Sequence, residues 1–213
     1  MKLNKDNMII TIDTELGSNG EAVARELAAM LHVPCYGPEI LDKAAELSCI
    51  PARLLHQYDG HAVRAAYDLL ADDRDPLFIR PAADFITAQV AACRTLAAEG
   101  ACILVDRHAT MALQGSENHV SIYIHSDFAD RAVRYAEQHN LSTDEAEKQL
   151  KRADRAYRSY YRGNCRSWGE ADSYDITVNA SDAEAHALAM TVLGFLETAV
   201  GTQLVERKET KAV

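Results

Sequence analysis

Three groups of residues in this sequence have the types and spacing for phosphate chemistry. The first is a turn, Gly17, Ser18, Asn19 and Gly20. It lies between an apolar, β-branched run at residues 8–12 and an apolar stripe at helical spacing, Val23, Leu27, Met30 and Leu31. Backbone N–H groups at a helix start lack intrahelical acceptors, and the dipole there favours an anion. Glycine lets the chain come close to a phosphate. The same residues also suit an ordinary strand-to-helix connection capped by Ser18 or Asn19. The lysine-bearing loop GxxxxGK[ST] is absent, because Glu21 and Ala22 follow the last glycine. A carboxylate about 4 Å from a phosphate charge is repelled by about 4 kcal/mol at an effective dielectric of about 20. At a helix N-terminus the same group contributes about 0.3–1 kcal/mol. Glu21 therefore either fills the turn or points to solvent.

The second group is Asp106 and Arg107, which follow the apolar run at 101–105. A hydrophobic strand ending in aspartate is the pattern of an acid that orients Mg²⁺ through its water shell, and a planar guanidinium beside it can reach a phosphate. The alternative is that Asp106 caps the next turn and Arg107 pairs with a surface acid. The third group lies at residues 131–166, where nine basic side chains face five acids in a chain whose net charge is −10. Lys151, Arg155, Arg158 and Arg162 recur at helical spacing, beside an apolar stripe of Ala146, Leu150, Ala153, Tyr157 and Tyr161. Ser142 and Glu145 form a capping box at the start. A charge stripe is commonly a solvated face; the predominance of arginine here favours a phosphate-binding lid, to which Arg131 also belongs.

The elements that must position these groups alternate. Strand patterns fall at 8–12, 33–36, 101–105, 120–124 and 174–178, and helical patterns at 23–31, from 39, at 85–98 and at 183–200. Between 51 and 81 the pattern loosens into helical fragments, and 206–213 is a polar tail. Five strands separated by helices predict an α/β fold, a parallel sheet with helices on both faces, and ligands at the carboxyl ends of the strands. The turns after Ile12, Tyr36 and Val105 are then the places for a site.

The 213 residues, 48% hydrophobic and 25% charged, suffice for one core. The acidic balance argues against nucleic acid as partner. No stretch is long enough for a bilayer span, and residues 8–12 are too short for a signal-peptide core. Five cysteines without CxxC spacing suggest reduced thiols, and the chain is expected to be cytoplasmic. No HxxxH, HExxH, GxSxG or GxGxxG pattern supports a histidine metal site, a hydrolase elbow or a dinucleotide site.

In this order the pieces resemble the cytidylate kinase-like branch of the P-loop kinases, from about residue 8 to 181. The family opening, roughly ITISREYGSGG, is met by the ITIDTELGSNG of residues 10–20; YDKEIL by Tyr36, Gly37, Pro38, Glu39, Ile40 and Leu41; IVGRGA by Leu104, Val105, Asp106, Arg107, His108 and Ala109. The family's tail pattern is met by Asp154, Arg155, Tyr160, Tyr161, Trp168 and the YDITVN of residues 174–179, the most specific match.

The resemblance implies a three-layer P-loop kinase fold with a five-stranded parallel sheet, in a single domain over 1–205. It implies a helical insert for a nucleoside monophosphate near 39–95 and an arginine-bearing lid near 131–166. ATP and Mg²⁺ are the implied cosubstrate and metal. Gly17, Ser18, Asn19 and Gly20 would hold donor phosphates, Asp106 would orient Mg²⁺, and Arg107 and Tyr36 would bind the acceptor. Arg131, Arg155, Arg158 and Arg162 would neutralise the moving phosphoryl group. The implied activity is transfer of the ATP γ-phosphate to a nucleoside monophosphate, CMP or dCMP first. The departures fall on the chemistry: Asp13 and Thr14 replace Ser-Arg, Glu21 a basic residue, Gly37 and Pro38 Asp-Lys, and Tyr157 an arginine, while Asp106 replaces a glycine. A catalytically silent nucleotide-binding or regulatory relative is the alternative.

Overall fold

A computed structural model describes residues 5–57, 59, 81–161, 168–201 and 204–205. The strands are β1 (Ile9–Thr14), β2 (Cys35–Tyr36), β3 (Cys102–Val105), β4 (His119–His125) and β5 (Ile176–Asn179). The helices are α1 (Gly20–Leu31), α2 (Glu39–Leu47), α3 (Ala52–Gln57), α4 (Pro81–Glu99), α5 (Ala109–Ala112), α6 (Phe128–His139), α7 (Thr143–Tyr161) and α8 (Ala185–Val200). Every strand pairing is parallel, in the order β2-β3-β1-β4-β5. The order reverses around β1, which makes its carboxyl end, beside that of β3, the place where a ligand crevice opens.

Alternation along the strands builds a core on each face. Ile10, Ile12, Ile103, Ile122 and Ile124 meet Val23 and Leu27 of α1 and Leu188, Val192 and Leu196 of α8. Ile9, Cys102 and Leu104 meet Ile40 and Leu41 of α2, Ala92 and Leu96 of α4, and Ala109 of α5. A smaller aromatic cluster of Tyr123, Trp168, Tyr157 and Tyr174 sits under α7.

Two elements differ from the pattern in the sequence. β1 continues through Asp13 and Thr14, which align with Tyr123 and Ile124 of β4, so the strand carries polar residues to the crevice. The basic segment carries a helix that the sequence pattern did not mark: α6 ends at Asn140 in a left-handed conformation (φ 53°), before α7 starts at the expected capping box. There Ser142 Oγ accepts from the Glu145 N–H while the Glu145 carboxylate accepts from the Ser142 N–H at 3.1 Å. Arg131 and Arg134 therefore stand on a different helix from Arg155 and Arg158. Arg162 and the 206–213 tail lie outside the described residues. Among the described residues no helix is long and apolar enough to cross a membrane.

Candidate functional site

The turn between β1 and α1 has its carbonyls spoken for. Glu15 O accepts from Ser18 N–H, and Asn19 O from Ala22 and Val23 N–H. Leu16 O accepts from Arg131 Nε at 2.9 Å, Gly17 O from Arg134 at 2.7 Å, and Ser18 O from Ser126 Oγ at 3.4 Å. The N–H groups of Gly17, Asn19, Gly20 and Glu21 donate to nothing among the described residues. All four residues line a cavity of about 450 Å³, together with Thr14, Arg25, Asp59, Asp106, Arg107, Gln138 and Tyr157. Two glycines are obligatory here. Gly17 has φ +80° and lies against the Arg131 carbonyl, and a Cβ on Gly20 would come within 2.4 Å of Thr14 Cγ2. Asn19 holds the cap position in the left-handed region, but its side chain makes no cap bond, and the buried Ser18 Oγ has no partner among the described residues. Side-chain capping is thus not what holds this turn. Glu21 does not fill it: its carboxylate is half exposed and 3.7 Å from Arg25.

The facing wall comes from the end of β3, where Asp106, Arg107 and His108 all have positive φ (58°, 49° and 65°). Such backbone costs non-glycine residues about 1–2 kcal/mol each, least for aspartate. Asp106 is held in it by Thr14, whose N–H and Oγ1 donate to the two carboxylate oxygens at 2.8 and 2.9 Å. Burial pushes Asp106 up to about 7, and the nearby Asp13 carboxylate adds to the rise, against Arg107 and the Thr14 donors. Burial likewise raises Asp13 to about 6, against the Tyr174 hydroxyl that donates to it at 2.8 Å and against Thr110. Two acids on neighbouring strand ends thus share one desolvated region.

Arg107 faces the cavity but is engaged: Nε and Nη2 reach Asp59 at 3.1 and 2.6 Å, and Nη1 reaches the Val105 carbonyl. Arg131 is buried, its donors going to Leu16 O, Glu15 (3.1 Å) and Asp154 (2.7 Å). Arg155 is exposed. Arg158 lines a second cavity, of about 430 Å³, at the ends of β4 and β5. From the apolar stripe of α7, Tyr157 reaches the first cavity. Tyr36 packs beside the core of α2 and α4, away from the cavity lining. The structure therefore brings together Gly17, Asn19, Gly20, Asp106 and Arg107, and leaves Ser18, whose N–H donates to Glu15 O, and Arg131, Arg155, Arg158 and Tyr36 outside the cavity lining. Arg134, Glu15 and Asp59 carried no motif. Arg134 is the one with a sequence signal, because it follows Arg131 by three residues and so shares its helix face.

With that turn at the hinge of a β2-β3-β1-β4-β5 sheet, residues 9–182 match the cytidylate kinase-like family. The chain belongs to the cytidylate kinase-like family. Among curated proteins none matches it. Among solved structures, an uncharacterised protein from Eubacterium ventriosum is similar at 21% identity and TM-score 0.66, covering 90% of this chain and 99% of that one. Shikimate kinase from Acinetobacter baumannii, in complex with shikimate, is similar at 13% identity and TM-score 0.52, covering 90% and 93%. Shikimate kinase from Bacteroides thetaiotaomicron is similar at 10% and 0.54, covering 89% and 98%. The fold of this family member is that of the P-loop kinases.

The residues present fit the metal that such a fold implies. Mg²⁺ keeps several waters and takes one or two carboxylates together with substrate phosphates. Asp106 offers one carboxylate in the lining of the same cavity, its two oxygens also accepting from Thr14. Among the described residues no cluster of three or more His, Cys, Asp or Glu side chains forms a cage without a ligand's help.

Proposed function

We propose that the 17–20 turn binds the phosphates of a nucleoside triphosphate, and that the chain transfers the terminal phosphoryl group to a nucleoside monophosphate, CMP or dCMP first. The observation that carries this is the set of four unpartnered backbone N–H groups opening into a 450 Å³ cavity at a helix N-terminus. Donors fixed in advance need no reorganisation when charge arrives, and phosphoryl transfer depends mainly on positioning and charge neutralisation. Arg131 and Arg134 act from behind by fixing the turn's carbonyls. Arg107 would take the acceptor phosphate in exchange for Asp59, while Tyr36, outside the cavity lining, would have to act from the α2 side. Arg155, Arg158 and Arg162 would be the lid cations that neutralise the moving phosphoryl group. Mg²⁺, held beside Asp106, would neutralise phosphate charge. The lining has four acids (Glu15, Glu21, Asp59 and Asp106) against two arginines, so a polyphosphate alone is poorly matched. The partner is a small nucleotide in the cytoplasm, not a nucleic acid.

A catalytically silent nucleotide binder is favoured by one observation. Tyr157, not an arginine, is the α7 residue in the cavity, and Arg155 faces solvent. A coupled ADP-release assay with ATP, Mg²⁺ and a panel of nucleoside monophosphates separates the two. Phosphoryl transfer predicts acceptor-dependent turnover; binding of ATP without turnover on any acceptor rejects the transferase and leaves the silent binder.

A further inference from the structure

Four arginines line the first cavity or bond its turn, and three of them face an acid. Arg25 lies 3.7 Å from Glu21, and Arg107 is bound to Asp59 at 2.6 Å. Arg131 pairs with both Glu15 and Asp154. Arg134 differs. It forms no ion pair among the described residues, and its donors go to neutral oxygens. Nη1 donates to Gly17 O at 2.7 Å, and Nη2 to Ala180 O at 3.1 Å and Ser181 O at 3.3 Å. Both nitrogens also reach Ser126 Oγ at 3.4 Å, and that hydroxyl donates to Ser18 O.

We infer that Arg134 is a positioning residue that supplies the fixed positive charge of the phosphate turn. This role rests on the reading of that turn as a phosphate site. A lysine-bearing phosphate loop carries its cation directly after the last glycine, where this chain has Glu21 and Ala22. The charge must therefore come from elsewhere. An arginine already paired with a carboxylate presents little net field to an approaching anion. Carbonyl and hydroxyl acceptors, by contrast, satisfy a guanidinium without cancelling its charge, and the group stays protonated at any working pH. Arg134 is the one of the four in that state. It acts through the backbone. By taking Gly17 O it directs that carbonyl towards α6, while the Gly17 N–H stays available to the cavity. Its bonds to Ala180 and Ser181 tie the turn to the chain after β5, which holds the guanidinium in place. On the same face of α6, one turn on, Gln138 lines the cavity itself.

The test measures the affinity of the full chain for tripolyphosphate with Mg²⁺ by titration calorimetry. Wild type is compared with Arg134→Lys, which keeps the charge and loses the fork, and with Arg134→Gln and Arg134→Met, which lose the charge. The two neutral variants should bind about tenfold more weakly, and Arg134→Lys should stay within about threefold of wild type. Thermal melts establish which variants are folded, and all three should melt below wild type, because each loses carbonyl bonds. A merely structural arginine would lower affinity in step with melting temperature, lysine included. Undiminished affinity in a folded neutral variant, or an equal loss in Arg134→Lys, would overturn the charge role and leave the phosphate site standing. Absence of binding by wild type would remove the phosphate reading itself, and this role with it.

Discussion

Asp106 and Asp13 are the side chains on which the site's electrostatics turn. Both are acids whose folded values, about 7 and about 6, lie above the ordinary carboxylate range. Such a group binds its proton more tightly in the native state. Its contribution to stability is fully present below about pH 4 and is lost as pH rises through about 6 to 7. His108 works the other way. Burial lowers it to about 4, so its contribution is present above about pH 6.5 and lost as pH falls. Comparing wild type with Asp13→Asn cancels His108, which is common to both. Urea unfolding should find the variant gaining on wild type by on the order of 2–3 kcal/mol between pH 4 and 8; a difference independent of pH would contradict the shared desolvation. At Asp106 the backbone adds its own term. Asp106→Ala loses two Thr14 hydrogen bonds and keeps the strained φ, for a cost of about 2–3 kcal/mol. Asp106→Gly should be about 1 kcal/mol more stable than Asp106→Ala in the same denaturation series. The sequence marks Asp106 as a strand-terminal acid. It does not mark the coupling to Asp13, because those residues meet only once β1 and β3 are known to be neighbours.

Among the elements, the approach of α1 to the end of β1 fixes the turn. Gly20 allows it, and a methyl there would overlap Thr14 Cγ2. Gly20→Ala should destabilise by about 3 kcal/mol, at the upper end of overpacking costs. Thr14→Ser removes Cγ2 but keeps the hydroxyl that Asp106 accepts from, so the double variant should recover part of that loss. Strictly additive losses in the double-mutant cycle would contradict the close contact. At the start of α7, Ser142→Ala should cost about 1 kcal/mol through the lost capping box. All five strands and the two-faced sheet were legible in the runs of β-branched and apolar residues and in their alternation with helical stripes. The start of α7 was legible too, in the capping box of Ser142 and Glu145, whereas α6 before it was not marked as a helix of its own. What distinguishes Arg131 from Arg155 is not its type but its helix. α6 turns Arg131 towards the Leu16 carbonyl and the Glu15 carboxylate, while Arg155 on α7 faces solvent.

For the whole molecule, the family and the fold place the crevice at the carboxyl end of β1, and the local departures decide what it can hold. The glycine spacing was readable because backbone geometry demands it. The roles of Glu15, Asp59 and Tyr157 were not, because each comes from a different part of the chain and meets the turn only through the sheet order. Four N–H donors stand against a lining richer in acids than in arginines, so a triphosphate should bind with its divalent cation and poorly without it. The most direct measurement is the unfolding free energy of the chain with ATP, in the presence and absence of Mg²⁺. With Mg²⁺ and ATP at about 100 times the dissociation constant, stability should rise by about 2.7 kcal/mol, and chelating the metal should abolish most of that gain. No stabilisation by ATP with Mg²⁺ at any concentration would contradict a phosphate site at the 17–20 turn.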